Sequence, residues 1–183
     1  MGEYNHGKKE GIGTLIYSDK NIYKGEWITN NMEGFGIYTY ADGRQYIGEW
    51  KNNQMYGYGE FLWKEGKKYA GFFKNDKRDG FGIVYYPNNK FFIGFWQEGK
   101  EEGLGKCIND DEIKYGIWKE GEREKWIENE GEFSNILGQK KVNYASFFLL
   151  DKTQLKKFMD INDNDNYNEN NDQNNISNKN KVI

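Results

Sequence analysis

Aromatic and polar residues alternate in short runs that recur along the first two thirds of the chain. Residues 23–28 form one such run around a central glycine, and residues 35–40 form a second run rich in aromatic and branched side chains. Alternation with a period of two is typical of β-strands. Residues 29–31, between the runs, and Asp42-Gly43, after them, have the composition of turns. The pattern therefore predicts a two-stranded β-hairpin.

This two-run pattern returns at a fixed spacing of 23 residues. Each first run carries a glycine followed two positions later by a large aromatic residue, and each second run opens with a Gly-x-Gly pair. Self-similarity at such a period is the signature of a repeat architecture. The repeated positions are Gly25, Trp27, Gly34 and Gly36 in one unit, Gly48, Trp50, Gly57 and Gly59 in the next, then Gly71, Phe73, Gly80 and Gly82, and finally Gly94, Trp96, Gly103 and Gly105.

These repeats predict an all-β fold, an elongated single-layer antiparallel sheet of tandem 23-residue β-hairpins. A lone hairpin is marginal in water, whereas hairpins stacked edge to edge bury their ring faces and satisfy their strand edges. The runs together predict about eleven strands. The glycines have two alternative purposes, since they either leave room for a ring of the adjacent unit or hold a positive φ.

Composition divides the chain into three segments. Residues 1–126 form the repeat array, with about five full repeats and partial ones at its ends. Residues 127–160 form a C-terminal cap segment, in which residues 131–133 faintly echo the first-run phrase and residues 143–160 predict a short helix. This helix either covers the open end of the sheet or docks on another chain. Residues 161–183 are an Asn/Asp-rich low-complexity tail that is predicted to be disordered on its own.

Charge and hydropathy exclude some classes of partner. Hydrophobic residues make up 36% of the chain and aromatic residues 17%, so the apolar surface lies mainly in large flat rings. The net charge is −3, and acidic and basic residues nearly balance through the array. No basic stripe of the kind that nucleic acids require is present, so no nucleic-acid partner is expected. No apolar run reaches the roughly 18 residues that a membrane span needs.

No residue set typical of catalysis or of metal binding stands out. His6 is the single histidine, and Cys107, the single cysteine, falls in a column of packed strand residues. Residues 160–171 resemble the opening of an EF-hand loop, but Asp165 stands where that loop needs glycine and Asn171 where it needs glutamate. We therefore expect no enzyme activity, no cofactor, no metal and no small-molecule substrate.

The phrase Tyr-x-Gly-Glu-Trp, followed by Gly-x-Gly and Asp-Gly at a 23-residue pitch, resembles the MORN repeat over residues 1–126. The resemblance implies β-hairpin repeats that form extended sheets. It also implies a scaffold or adaptor in a cytoskeletal assembly, including ciliary assemblies such as axonemal radial spoke heads, and for some members binding to phosphoinositides. Phe72 and Phe95 depart from the pattern by replacing glutamate, and Phe73 does so by replacing tryptophan.

Two functional hypotheses follow. The first is a non-catalytic scaffold that binds other protein subunits of a large cytoplasmic assembly, in the cytoskeleton and specifically in a cilium or axoneme. Its candidate protein contacts are Phe72, Phe73, Phe95 and Trp96, in the less polar repeats. The alternative is a membrane-associated module that binds anionic phospholipids such as phosphoinositides. The strongest basic cluster for that alternative consists of Lys64, Lys67, Lys68, Lys74, Lys77 and Arg78, with Glu65, Asp76 and Asp79 interleaved.

Overall fold

The protein forms one open antiparallel sheet of twelve strands followed by a short helix. A computed structural model describes residues 2–109 and 112–139. The strands follow one another in the sheet in chain order, so every strand pairs with its sequence neighbours. The strands are β1 (Gly2–Asn5), β2 (Lys8–Ile16), β3 (Ile22–Ile28), β4 (Asn31–Thr39), β5 (Gln45–Lys51), β6 (Gln54–Leu62), β7 (Lys68–Lys74), β8 (Lys77–Tyr86), β9 (Lys90–Gln97), β10 (Lys100–Asn109), β11 (Glu112–Lys119) and β12 (Glu122–Ile127), and the helix is α1 (Glu130–Gln139).

The predicted fold class is confirmed, and the sheet has twelve strands where about eleven were expected. The additional strand lies at the C-terminal end, where β12 pairs with β11 although β12 lacks the Gly-x-Gly pair of the earlier repeats. Strand pairing there depends on backbone hydrogen bonds, which any alternating segment can supply.

The two faces of the sheet carry different side chains. Tyr23, Trp27 and their equivalents point to one side, which we call the ring face. Ile12, Phe35 and Tyr58 lie on the other side, which we call the opposite face. Successive residues of a strand alternate between the faces, so each 23-residue unit contributes to both.

Six two-residue turns close the hairpins at one end of the strands. Both residues of each turn have a positive φ, as in Asn52 (50°) and Asn53 (65°) between β5 and β6. A positive φ at both central positions defines the type I′ turn, whose twist matches that of the flanking strands. The connection that contains Asp42 and Gly43 is longer, and there Gly43 has φ 92°.

The repeated glycines hold a positive φ at one position and make room for a ring at another, but that ring is not the one that the sequence predicted. Gly34, the first glycine of its pair, has φ 60° and lies in a bulge of β4. Gly25 and Gly36 lie beneath a ring, because a Cβ at Gly36 would come within 2.6 Å of the Tyr23 ring. That ring belongs to the same hairpin and not to the adjacent unit.

Helix α1 packs at the β12 end of the sheet. Its Phe133 ring lies 4.5 Å from the Tyr115 ring, measured between centroids. Asn129 caps the helix, since its Oδ1 accepts a hydrogen bond from the Glu132 amide at 3.0 Å. The interpretation of residues 131–133 as an echo of a further repeat is therefore wrong, because they belong to this helix.

Two further predictions fall outside the residues that the structure describes. These are the helix expected within residues 143–160 and the low-complexity tail of residues 161–183.

Candidate functional site

The ring face is held together by edge-to-face contacts between tyrosines and indoles. The Tyr23 ring lies 5.0 Å from the Trp27 ring and 5.4 Å from the Trp50 ring, at interplanar angles of 84° and 85°. Tyr46 repeats this arrangement with Trp50 and Phe73. Each tyrosine ring is thereby held between the aromatic residue of its own strand and that of the next unit. Such pairs contribute about 0.5–1.5 kcal/mol beyond burial alone.

Hydrogen bonds fix the orientation of these rings. The Tyr46 hydroxyl donates to the carbonyl of Glu49 at 2.9 Å, and the Trp50 Nε1 donates to the carbonyl of Gly36 at 3.2 Å. Burial raises the pKa of Tyr46 well above its usual value, because the ionised phenol would lose hydration. The ring face is therefore a packed core on which rings and backbone carbonyls are already paired.

Two of the four candidate contact residues belong to this core. Phe73 and Trp96 are buried on the ring face within the aromatic cluster. The prediction that Phe73 and Trp96 are surface contacts is therefore wrong, because both residues occupy the position of Trp27 and Trp50 in the repeat. Phe73 packs against Tyr46 and Tyr69, and Trp96 packs against Tyr69 and Phe92, so neither is accessible to a partner.

Phe72 and Phe95, the other two candidates, lie on the opposite face and are half-buried. The Phe72 ring lies 5.9 Å from the Tyr58 ring, and the Phe95 ring lies 5.6 Å from the Phe81 ring. The side chains of the adjacent residues 72 and 73, like those of 95 and 96, thus lie on opposite faces of the sheet. The sequence predicted one contact surface for these four residues, but alternation along the strand places them on two faces of the sheet.

The glutamates that Phe72 and Phe95 replace have a structural purpose that the sequence did not reveal. In the first repeats a carboxylate reaches across the bulge, and Glu26 Oε1 accepts from the Phe35 amide at 2.8 Å while Glu49 Oε1 accepts from the Tyr58 amide at 2.8 Å. Both glutamates remain exposed. The repeated Gly-Glu phrase therefore satisfies the extra backbone donor of each bulge.

Exposure on the opposite face falls steadily along the array. The central residue of each Gly-x-Gly pair gives the clearest series: Ile12 is 69% exposed, Phe35 54%, Tyr58 40%, Phe81 4% and Leu104 1%. The first three lie side by side with Glu26 and Glu49 between them, through the pairs Ile12–Glu26 and Phe35–Glu49. These residues form an accessible row of alternating apolar and acidic side chains on the opposite face of β2–β6, which we call the open face.

The basic residues of the alternative hypothesis do not form one patch. Lys67 lies over the Trp63 ring at 4.9 Å on the ring face. Lys68 points to the opposite face, because it precedes the buried Tyr69 in β7. Lys77 forms an ion pair with Glu98 at 2.6 Å. The cluster that the sequence suggested is divided between two faces and partly paired.

Within residues 2–109 and 112–139, no three His, Cys, Asp or Glu side chains come together in a metal-binding group. Burial raises the pKa of the Cys107 thiol to about 11. Among the described residues there is no helix of the length and apolarity that crossing a bilayer requires.

Comparison with known families agrees with this geometry. The MORN-repeat family model matches residues 1–22, 23–43, 46–68, 69–90 and 92–111. The chain belongs to the MORN-repeat family. MORN repeats generally mediate interactions with proteins or membranes. The matched repeats end within the described sheet, and β11 and β12 continue it in the same antiparallel manner. A comparison with curated proteins found no match.

Proposed function

We propose that this MORN-repeat protein is a non-catalytic scaffold that binds other proteins through the open face. The observation that carries the proposal is the exposed apolar row of Ile12, Phe35 and Tyr58 on one side of neighbouring strands. Contiguous exposed apolar residues rimmed by polar groups mark interaction surfaces. The rigid sheet beneath them holds the row in place without an ordering cost at the moment of binding.

The charges of the open face indicate the chemistry of its partner. Glu26 and Glu49 alternate with the apolar residues, so a complementary surface would place apolar side chains opposite the row and lysine or arginine opposite the glutamates. A second copy of the same face would bring these carboxylates against one another. We therefore favour a different protein with a basic, partly apolar segment.

The cellular setting is proposed from the family resemblance. We place the scaffold in a cytoplasmic, cytoskeletal assembly, with a cilium or axoneme as its expected location. A radial-spoke-head-like member of the family would fit this setting. Fluorescence localisation of a tagged full-length chain in ciliated cells tests it, and exclusion from cytoskeletal structures would overturn it.

Site-specific photo-cross-linking tests the binding surface. A photoreactive residue at position 35 or 58 should capture the same partner proteins. One at position 4 should not, because Tyr4 is more exposed (67%) than either residue but lies with Trp27 on the ring-face side. With the photoreactive residue moved to position 12 of the same row, the double variant Phe35→Ala/Tyr58→Ala should reduce capture at least about tenfold, the equivalent of roughly 1.4 kcal/mol. Tyr4→Ala is the matched control.

Binding to lipid is the outcome that would replace this proposal. If the chain sediments with phosphoinositide vesicles, and Phe35→Ala/Tyr58→Ala leaves its protein cross-links unchanged, the open face is not the protein-binding surface and the phospholipid alternative gains support.

A further inference from the structure

A pocket of about 470 Å³ opens on the ring face near the end of the array. Its volume lies in the range of small-ligand sites, which is about 300–1,000 Å³. It is separate from the open face, which lies on the other side of the sheet. Its walls include Tyr86, Phe92, Cys107, Lys114, Trp118 and Trp126.

The pocket lies where all three columns of the ring face lack a ring in the same unit. Cys107 pairs with Phe92 on one side and with Lys114 on the other. Phe92 and Lys114 therefore belong to the tyrosine column, and Cys107 belongs to the column beside it. The first column reads Tyr23, Tyr46, Tyr69, Phe92 and Lys114; the second reads Leu15, Tyr38, Phe61, Val84 and Cys107; the third reads Tyr17, Tyr40, Trp63, Tyr86 and Asn109.

The register explains the loss in the first column. The earlier aromatic residues recur every 23 residues, but Trp118 follows Trp96 by only 22. Tyr115, at the 23-residue distance from Phe92, therefore falls on the opposite face, where it meets Phe133 of α1. Lys114 takes the place of a ring, because a shift of one residue exchanges the two faces of a strand.

The remaining walls are aromatic. The Trp118 ring lies 5.0 Å from Phe92 at 76°, and 5.9 Å from Trp126 at 87°. In the earlier units the column tyrosine meets the indole of its own strand edge to face, as Tyr46 meets Trp50, and Lys114 provides no such ring for Trp118. Edge-to-face contact with such a ring is the interaction that these indoles make best.

The charges at the pocket favour a neutral guest. Lys114 forms an ion pair with Glu112 at 2.9 Å. Lys90 and Glu101 also line the pocket, so its lining carries two positive and two negative side chains. A charged ligand would face its own sign as often as the opposite one.

From this combination we infer that the pocket binds an uncharged aromatic ring against the Trp118 and Trp126 indoles, beside Lys114. The ring comes either from a side chain of a bound peptide or from a free aromatic compound. The inference does not depend on the open face or on the partner proposed for it.

Indole N–H resonances of the full-length protein test the inference. Titration with 4-methylphenol, the tyrosine side-chain analogue, should shift the Trp118 and Trp126 signals and leave those of Trp27 and Trp50 in place. The expected dissociation constant is about 1 mM or lower, given the small size of the probe. Cyclohexanol, of similar size but without a π-system, should bind at least about tenfold more weakly if the edge-to-face contacts select the guest.

A substitution that supplies the ring from within the chain gives the decisive comparison. Lys114→Tyr should abolish the probe-induced shifts, whereas Lys119→Tyr, an exposed position on the opposite side of the same strand, should leave them unchanged. Asn109→Tyr serves as a second filled variant if Lys114→Tyr does not fold. A Gly-Gly-Tyr-Gly-Gly peptide that binds as tightly as 4-methylphenol identifies a side chain as the natural guest, and its exclusion identifies a free compound.

Several results would overturn the inference. These are the absence of shifts at Trp118 and Trp126 at 10-fold the expected dissociation constant, equal binding of cyclohexanol, or shifts that persist in a folded filled variant.

Discussion

At the scale of single residues, the tyrosines of the ring face combine two properties that phenylalanine cannot. Their rings fill the space above paired glycines, and their hydroxyls donate to a carbonyl three residues later, as Tyr23 does to Glu26 and Tyr46 to Glu49. Tyr23 and Tyr46 are completely buried. Burial in these positions raises the pKa of both phenols, since the phenolate would be poorly solvated there.

Alkaline conditions should therefore weaken the sheet through its tyrosines. Below the unfolded pKa of about 10 both states hold the phenolic proton, and above it the unfolded state loses the proton first. Stability falls as pH rises through this window, by about 1.4 kcal/mol per pH unit for each shifted tyrosine. Tyr46→Phe should cost about 1 kcal/mol at neutral pH and flatten the alkaline slope by one tyrosine. Urea unfolding between pH 7 and 11.5 measures both effects.

The equivalent substitution Tyr23→Phe should reproduce that result in the preceding unit. Phe92 already occupies this column in the chain, so the phenylalanine ring fits. Stability curves of the variant and the parent protein that stay parallel above pH 10 would contradict the explanation.

At the scale of elements, the hairpin turns bind each unit to the one before it. Asn53 Oδ1 accepts from the Met32 amide at 2.8 Å, and the Asn53 amide donates to the Met32 carbonyl at 3.1 Å. The same reciprocal pair joins Asn30 to Lys9. In a later unit the Gly99 amide keeps the backbone bond to the Arg78 carbonyl, and the Gly99 carbonyl accepts from the Arg78 guanidinium at 2.8 Å. The turns thus form a column of contacts that runs across the strands.

Substitutions at Asn53 should separate its two contributions. Asn53→Ala loses the side-chain hydrogen bonds with Met32 and Asn31 and places alanine, which tolerates a left-handed conformation less well than asparagine, at φ 65°, for a total of about 2 kcal/mol. Asn53→Gly loses only these hydrogen bonds and should cost about 1 kcal/mol, and it is the matched control. Urea unfolding at neutral pH measures the difference. Equal losses in the two variants would mean that the positive φ carries no cost here.

The elements also show where the sequence was and was not sufficient. The alternating runs located the strands, because each run shows its period directly. The contact between Asn53 and Met32 had no such signal, since it joins residues 21 apart whose side chains give no local pattern. The short C-terminal helix was predicted, but at residues 143–160 and not at α1, because Gly131 and Gly138 obscure the periodicity of α1, although Asn129 followed by Glu132 is the spacing of a capping pair.

At the scale of the whole described sheet, order along the chain equals order in space. Each strand contacts its sequence neighbours, so stability should be close to a sum over units and the contacts between them. What the sequence could not predict was the difference between the beginning and end of the opposite face. Ile12 and Leu104 occupy equivalent positions and have nearly the same chemistry, yet one is exposed and the other buried. Burial of that kind depends on what lies over a strand and not on the strand itself.

A deletion of one 23-residue period tests whether stability is close to a sum over units. Removal of residues 50–72 joins Glu49 to Phe73, so an aromatic residue again follows the Gly-Glu phrase and two strands are lost without a change of face. This variant should fold cooperatively, with a urea m-value lower by about a sixth because less surface is exposed on unfolding. Removal of residues 50–73 is the matched control, one residue longer, and it places Lys74 where an aromatic residue should follow the Gly-Glu phrase on the ring face. It should melt about 10 °C below the first variant, since a lost core ring costs about 3 kcal/mol. Equal melting temperatures would mean that the repeat period does not determine which residues form the ring face.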